Sequence, residues 1–114
     1  MRTVIYKGFG WNKDYIGYCE NNNIFSGFGW NAYSVGEYRN HAIYEGFGWN
    51  RVYVGSAEKG CIYSGYGWNR TQIGSYENGS IYKGYGWNKT LVGTYEGPDE
   101  AAAAAALLLI LLKD

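Results

Sequence analysis

Residues with chemical reach are few in this chain, and their spacing argues against catalysis. His41 is the single histidine and stands in the polar run Asn40-His41-Ala42, with no Cys or Asp at ligand spacing beside it. A hydrolytic triad or a zinc site needs several donors converging on one point, which a lone imidazole in a turn does not supply. Cys19 and Cys61 fall at different places in the periodic pattern described below, so they read as small apolar fillers rather than a metal pair or a disulfide. Glu20, Glu58, Glu77 and Glu96 do recur at one position, with Arg39 in the remaining copy. A catalytic carboxylate pair needs two different environments to separate its pKa values, whereas a repeated position gives each copy nearly the same one. These carboxylates read as a solvated rim at the strand ends. The Gly-X-Gly runs lack the following helix that a phosphate site requires. No catalytic residue, metal ligand or cofactor is assigned, and a non-enzymatic protein is expected.

The pattern that positions these residues is a 19-residue repeat. Trp11, Trp30, Trp49, Trp68 and Trp87 each follow Gly-(Phe/Tyr)-Gly and precede Asn12, Asn31, Asn50, Asn69 and Asn88, while Ile5, Ile24, Ile43, Ile62 and Ile81 keep the same beat without insertion. Units this short cannot bury a core singly and must share one, which predicts a closed array. Within a unit, residues 5–11 and 14–20 are rich in aromatic and β-branched types and flank Asn12-Lys13, the pattern of a β-hairpin with a two-residue turn. A second turn is expected at Asn21-Asn22-Asn23, Asn40-His41-Ala42, Lys59-Gly60-Cys61 and Asn78-Gly79-Ser80. The expected fold is all-β: five hairpins closing into a ten-stranded antiparallel barrel with pseudo-five-fold symmetry. Residues 1–98 form the barrel (5–23, 24–42, 43–61, 62–80 and 81–98), and residues 99–114 a separate C-terminal helix.

Registered on an Asn12-Lys13 turn, one hairpin face carries Ile5, Lys7, Phe9 and Trp11 and the other Tyr6, Gly8 and Gly10. The second face is uncharged in every copy, and its middle is a belt of facing glycines: Gly8/Gly17, Gly27/Gly36, Gly46/Gly55, Gly65/Gly74 and Gly84/Gly93. Glycine weakens a strand and marks close approach by another group. The tail offers that group. Residues 101–112 are alanine, leucine and isoleucine only, a helix apolar all round and too short for the roughly 20 residues that span a bilayer. Ten strands close at a radius of roughly 9 Å, room for a helix if the facing residues are small. The expectation is therefore the Tyr/Gly face inward around the tail. The opposite choice would bury Lys7, Glu37, Glu45 and Lys83 in one layer.

The Gly-(Phe/Tyr)-Gly-Trp-Asn beat over residues 5–96 resembles the β-flower family, small symmetric barrels of hairpin petals. With a helix inside, the plan is similar to the Tubby and phospholipid-scramblase barrels in architecture. The β-flower resemblance implies a barrel that works near lipid. Charge adds an exclusion: Lys plus Arg and Asp plus Glu are ten each, so no net field steers the chain to nucleic acid. Residues 1–5 run directly into the first repeat with no apolar leader, so a cytoplasmic protein, membrane-associated at most, is expected. The five Trp-Asn pairs have two readings. Either each Trp packs between neighbouring petals to close the ring, or they form a binding rim. A rim suits a membrane interface or a hydrophobic ligand or partner; the alternative is a multivalent glycan binder with one weak site per repeat.

Overall fold

The computed structural model describes residues 2–8, 10–27, 29–46, 48–65, 67–84, 86–98 and 110–111. The strands are β1 (Thr3–Lys7), β2 (Asp14–Glu20), β3 (Asn23–Ser26), β4 (Tyr33–Arg39), β5 (Ala42–Glu45), β6 (Val52–Glu58), β7 (Cys61–Ser64), β8 (Thr71–Glu77), β9 (Ser80–Lys83) and β10 (Thr90–Glu96). They close into one antiparallel barrel in which each strand pairs with its sequence neighbours and β1 with β10. The all-β, ten-stranded expectation holds.

The two connections exchange the roles expected of them. Asn21-Asn22, Asn40-His41, Lys59-Gly60 and Asn78-Gly79 have positive φ at both residues, from 48° to 85°. That pair is the type I′ turn, whose twist matches the flanking strands, so the tight hairpins are here. Asn23, Ala42, Cys61 and Ser80 consequently join the following strands. The Asn12-Lys13 connection is instead a loop of residues 8–13 containing a 3-10 turn, Gly10–Asn12, and the same turn recurs at Gly29–Asn31, Gly48–Asn50, Gly67–Asn69 and Gly86–Asn88. The chain leaves the extended region at Gly8, where φ is 83°, a conformation glycine adopts without cost.

A β-bulge then resets the faces. Ile5 lies opposite Gly17 and Tyr6 opposite Tyr15, which leaves Ile16 as the extra residue. The same shift puts Ile24, Ile43, Ile62 and Ile81 opposite Gly36, Gly55, Gly74 and Gly93. The inward face thus draws on both expected faces: the five isoleucines are wholly buried, and Cys19, Ala57, Tyr76 and Tyr95 are buried with them. Lys7, Glu45 and Lys83 remain exposed at the last residues of β1, β5 and β9, and Glu37 pairs with Arg51 rather than entering the core. Gly8, Gly27, Gly46, Gly65 and Gly84 are corrected out of the barrel wall, since all five lie beyond the strands at positive φ.

Two tail residues fall in the described part, and both join the core: Ile110 and Leu111 are 3% and 7% exposed. A Cβ at Gly93 would stand 3.0 Å from Ile110 Cδ1, and one at Gly74 2.9 Å from Leu111 Cδ1. The remainder of the helix expected over 99–114 lies outside the described residues. The molecule measures 39 × 38 × 25 Å. Strands of at most seven residues rise no more than roughly 23 Å before tilt shortens the wall.

Candidate binding rim and groove

Each Trp-bearing loop is anchored at its base. The Gly8 amide donates to the Val92 carbonyl at 2.9 Å, and Gly27, Gly46, Gly65 and Gly84 donate to Ile16, Val35, Val54 and Ile73 at 2.8–2.9 Å. The acceptor is the bulged residue of the adjoining strand, so bulge and loop form one device. After the 3-10 turn the chain returns with a cation in four copies, and this side chain lies over a ring on the outer wall. Lys13 Nζ is 4.4 Å from the Tyr6 ring, and Lys89 Nζ 4.3 Å from that of Tyr82. The Arg51 and Arg70 guanidiniums stand 4.5 Å and 3.9 Å from the rings of Tyr44 and Tyr63. Such contacts are worth about 0.5–1 kcal/mol each at exposed sites.

Held this way, the loop tips point away from the protein. Trp11, Trp30, Trp49, Trp68 and Trp87 are 101–103% exposed. The reading in which each Trp packs between petals is therefore overturned: the bulge places Ile16 and its equivalents in the wall and the ring closes without the tryptophans. All five loops join an odd-numbered strand to the next even-numbered one, so they leave the same end of the barrel. Asn31, Asn50, Asn69 and Asn88 end their 3-10 turns exposed, and Asn12 ends the first. The glycines expected to touch the tail divide by position. Gly17, Gly36, Gly55, Gly74 and Gly93 are buried in the wall, whereas added Cβ atoms at Gly27, Gly46 and Gly65 would meet only their own loops.

The carboxylate rim is not simply solvated. Glu20 accepts from Arg2 at 3.0 Å, Glu58 pairs with Arg70 at 3.6 Å and Glu77 with Lys89 at 3.5 Å. These pairs are exposed and worth little individually. The hydrogen bond from Arg2 to Glu20 raises the guanidinium pKa further above its usual range. Cys19 is different: burial pushes its thiol up to about 11, which leaves it a protonated filler. Among the described residues no three His, Cys, Asp or Glu side chains gather at one point, and no helix is long and apolar enough to cross a membrane.

Between two petals lies an open cavity of about 660 Å³. The Asn40-His41 turn and Trp68 bound it, Tyr53 and Ser56 line it from β6, and Glu58 and Arg70 stand together at its edge. Ser56 and Tyr53 carried no signal in the sequence, because the groove joins segments from three successive copies that only barrel closure brings together. A clue lay in the positions that change type between copies, 18, 37, 56, 75 and 94 among them. Compared with protein-family models, with curated proteins and with solved structures, the chain matches none.

Proposed function

We propose that this chain is a β-flower-type barrel and a non-enzymatic binding module whose tryptophan rim docks on a membrane surface or an equivalent hydrophobic partner. The observation that carries the reading is the full exposure of five tryptophans on loops leaving one end of the barrel. Indole leaves water readily and settles at headgroup depth, where its ring is in an apolar layer and its N–H stays hydrated. Rigid display matters as well. The amide-to-bulge hydrogen bonds and, in four copies, the cation lying over a ring fix the loop base, so little conformational entropy is lost on docking. Five loops on one scaffold act together, and avidity follows once the first has inserted.

The test is flotation with neutral phosphatidylcholine vesicles, with tryptophan emission recorded in parallel. Wild type floats and its emission shifts to the blue; a variant with all five tryptophans changed to alanine does neither while keeping its circular dichroism. A wild type that stays at the bottom of the gradient and gives competable signals on a glycan array instead would transfer the rim to the glycan-binding alternative.

A further inference from the structure

Among the outer-wall register positions whose residue type changes between copies is that of Tyr18, Glu37, Ser56, Ser75 and Thr94, each paired across to an aromatic residue. In the first copy Tyr18 fills the space, stacking on Phe25 at 4.7 Å with the Arg2 guanidinium 4.1 Å from its ring. In the second, Glu37 fills it by holding Arg51 at 2.7 Å. Ser56 is too short to do either, and the 660 Å³ cavity opens there, within the roughly 300–1,000 Å³ of small-ligand sites. Its residue is 5% exposed, yet its hydroxyl has no hydrogen-bond partner among the described residues. The hydroxyls of Ser75 and Thr94 at the same register are likewise buried without a partner, so it is the cavity that distinguishes the third copy.

The charges around that cavity have a definite pattern. Arg70 and Glu58 face each other at 3.6 Å with side chains 40% and 33% exposed. That is longer than the 2.7–2.9 Å of a charge-assisted hydrogen bond, so the pair opens at little cost. Beside it are two aromatic surfaces, the fully exposed Trp68 and the 37% exposed Tyr53. A guanidinium binds phosphate oxygens through its fork of donors. A carboxylate flanked by aromatic faces holds an alkylammonium, the indole face being the best such surface. An anion alone would meet Glu58 and a cation alone would meet Arg70; a ligand carrying both signs satisfies both.

We infer that the groove between the Asn40-His41 turn and the Gly67–Asn69 loop binds a zwitterionic phospho-ammonium group, phosphocholine in its chemistry. The inference rests on the membrane reading only for its source, since this group is borne by neutral phospholipid headgroups and by the free compound alike. A chain with equal positive and negative charge has no field favouring an anionic surface, in keeping with a neutral headgroup.

The experiment titrates the full-length, nitrogen-15-labelled chain with soluble phosphocholine, choline, inorganic phosphate and glucose, beside flotation on phosphatidylcholine and phosphatidylglycerol vesicles. Phosphocholine should give saturable shifts at the Ser56 and His41 amides and the Trp68 indole, with choline or phosphate alone binding at least tenfold more weakly. Ser56→Tyr, which fills the groove as Tyr18 does in its own copy, should abolish those shifts, and Glu58→Gln should weaken binding at least tenfold with the melting temperature retained. Phosphocholine binding without flotation supports the groove and removes the membrane reading. Flotation without a phosphocholine response overturns the groove and leaves the membrane reading intact. A saturable response to glucose in place of phosphocholine, or Ser56→Tyr binding as well as wild type, overturns the inference.

Discussion

One methyl group added at Gly74 tests whether the barrel wall and the tail share a packed core. Gly74 lies in β8 between Ile62 and Lys83, and a Cβ there would fall 2.7 Å from the Tyr82 carbonyl oxygen and 2.9 Å from Leu111 Cδ1. Leu111 can turn its terminal methyl away, but the carbonyl belongs to the neighbouring strand and yields only if the ladder shifts. Overpacking of this kind costs about 1–3 kcal/mol. Alanine recovers about 0.4–1 kcal/mol of that by stiffening the unfolded chain. The net loss, about 1.3 kcal/mol at mid-range, set against about 2.1 cal/mol/K of unfolding entropy per residue, lowers Tm by about 5 °C. Leu111→Ala, at a site 7% exposed, should itself cost about 2–5 kcal/mol. In that background the side-chain half of the clash is gone, so Gly74→Ala should cost at least about 0.5 kcal/mol less than it does alone. Urea midpoints of wild type, both single variants and the double variant measure this coupling. Gly10→Ala serves as the control: its φ of 64° gives the alanine a local strain of its own, but nothing lies within 4 Å of the new Cβ, so it should add to Leu111→Ala without coupling. Strict additivity of Gly74→Ala and Leu111→Ala would refute the claim that the tail residue packs on this glycine.

The turns give a second expectation. Lys59 holds φ at 52° where Asn78 holds 48° in the matching turn, so Lys59→Asn should stabilise by about 0.5–1 kcal/mol and Asn78→Val should destabilise by more than that, both read from urea midpoints. Truncating all five tryptophans should leave Tm within about 2 °C of wild type, because the rings are in water already; a large fall would mean that they pack in the ring after all. Burial holds the Cys19 thiol at about 11 against an ordinary 9.0, so the folded state keeps a proton that the unfolded chain releases. That stabilisation is complete below pH 9.0 and is lost as pH rises through about 11, and Cys19→Ala should flatten the melting profile across this window. Iodoacetamide should label the half-buried Cys61 well before the buried Cys19, as peptide mapping would report.

The sequence by itself determined the count of strands and their pairing in order, because a 19-residue unit with two turn signals can only supply two strands and cannot bury a core alone. It also singled out ten glycines as places where something comes close, of which Gly17, Gly36, Gly55, Gly74 and Gly93 stand in the wall, and the Trp-Asn pairs as the feature that varies least, while their exposure came from the structure. The tertiary structure decided which connection is tight. Both contain asparagine or glycine, and the choice falls to the pair whose two positive φ values match the twist of the strands, as at Asn21-Asn22. It decided which residues face inward as well. Alternation along residues 3–7 and 14–20 gives two self-consistent faces, and only the extra residue at Ile16, paid for by the hydrogen bond from the following loop glycine to a bulged carbonyl, puts Ile5 and Gly17 on the same side. The groove at Ser56 was beyond the sequence for a related reason. Its walls come from a turn, a strand and a loop of three successive copies, and their approach is fixed by the curvature of a closed barrel rather than by any spacing along the chain.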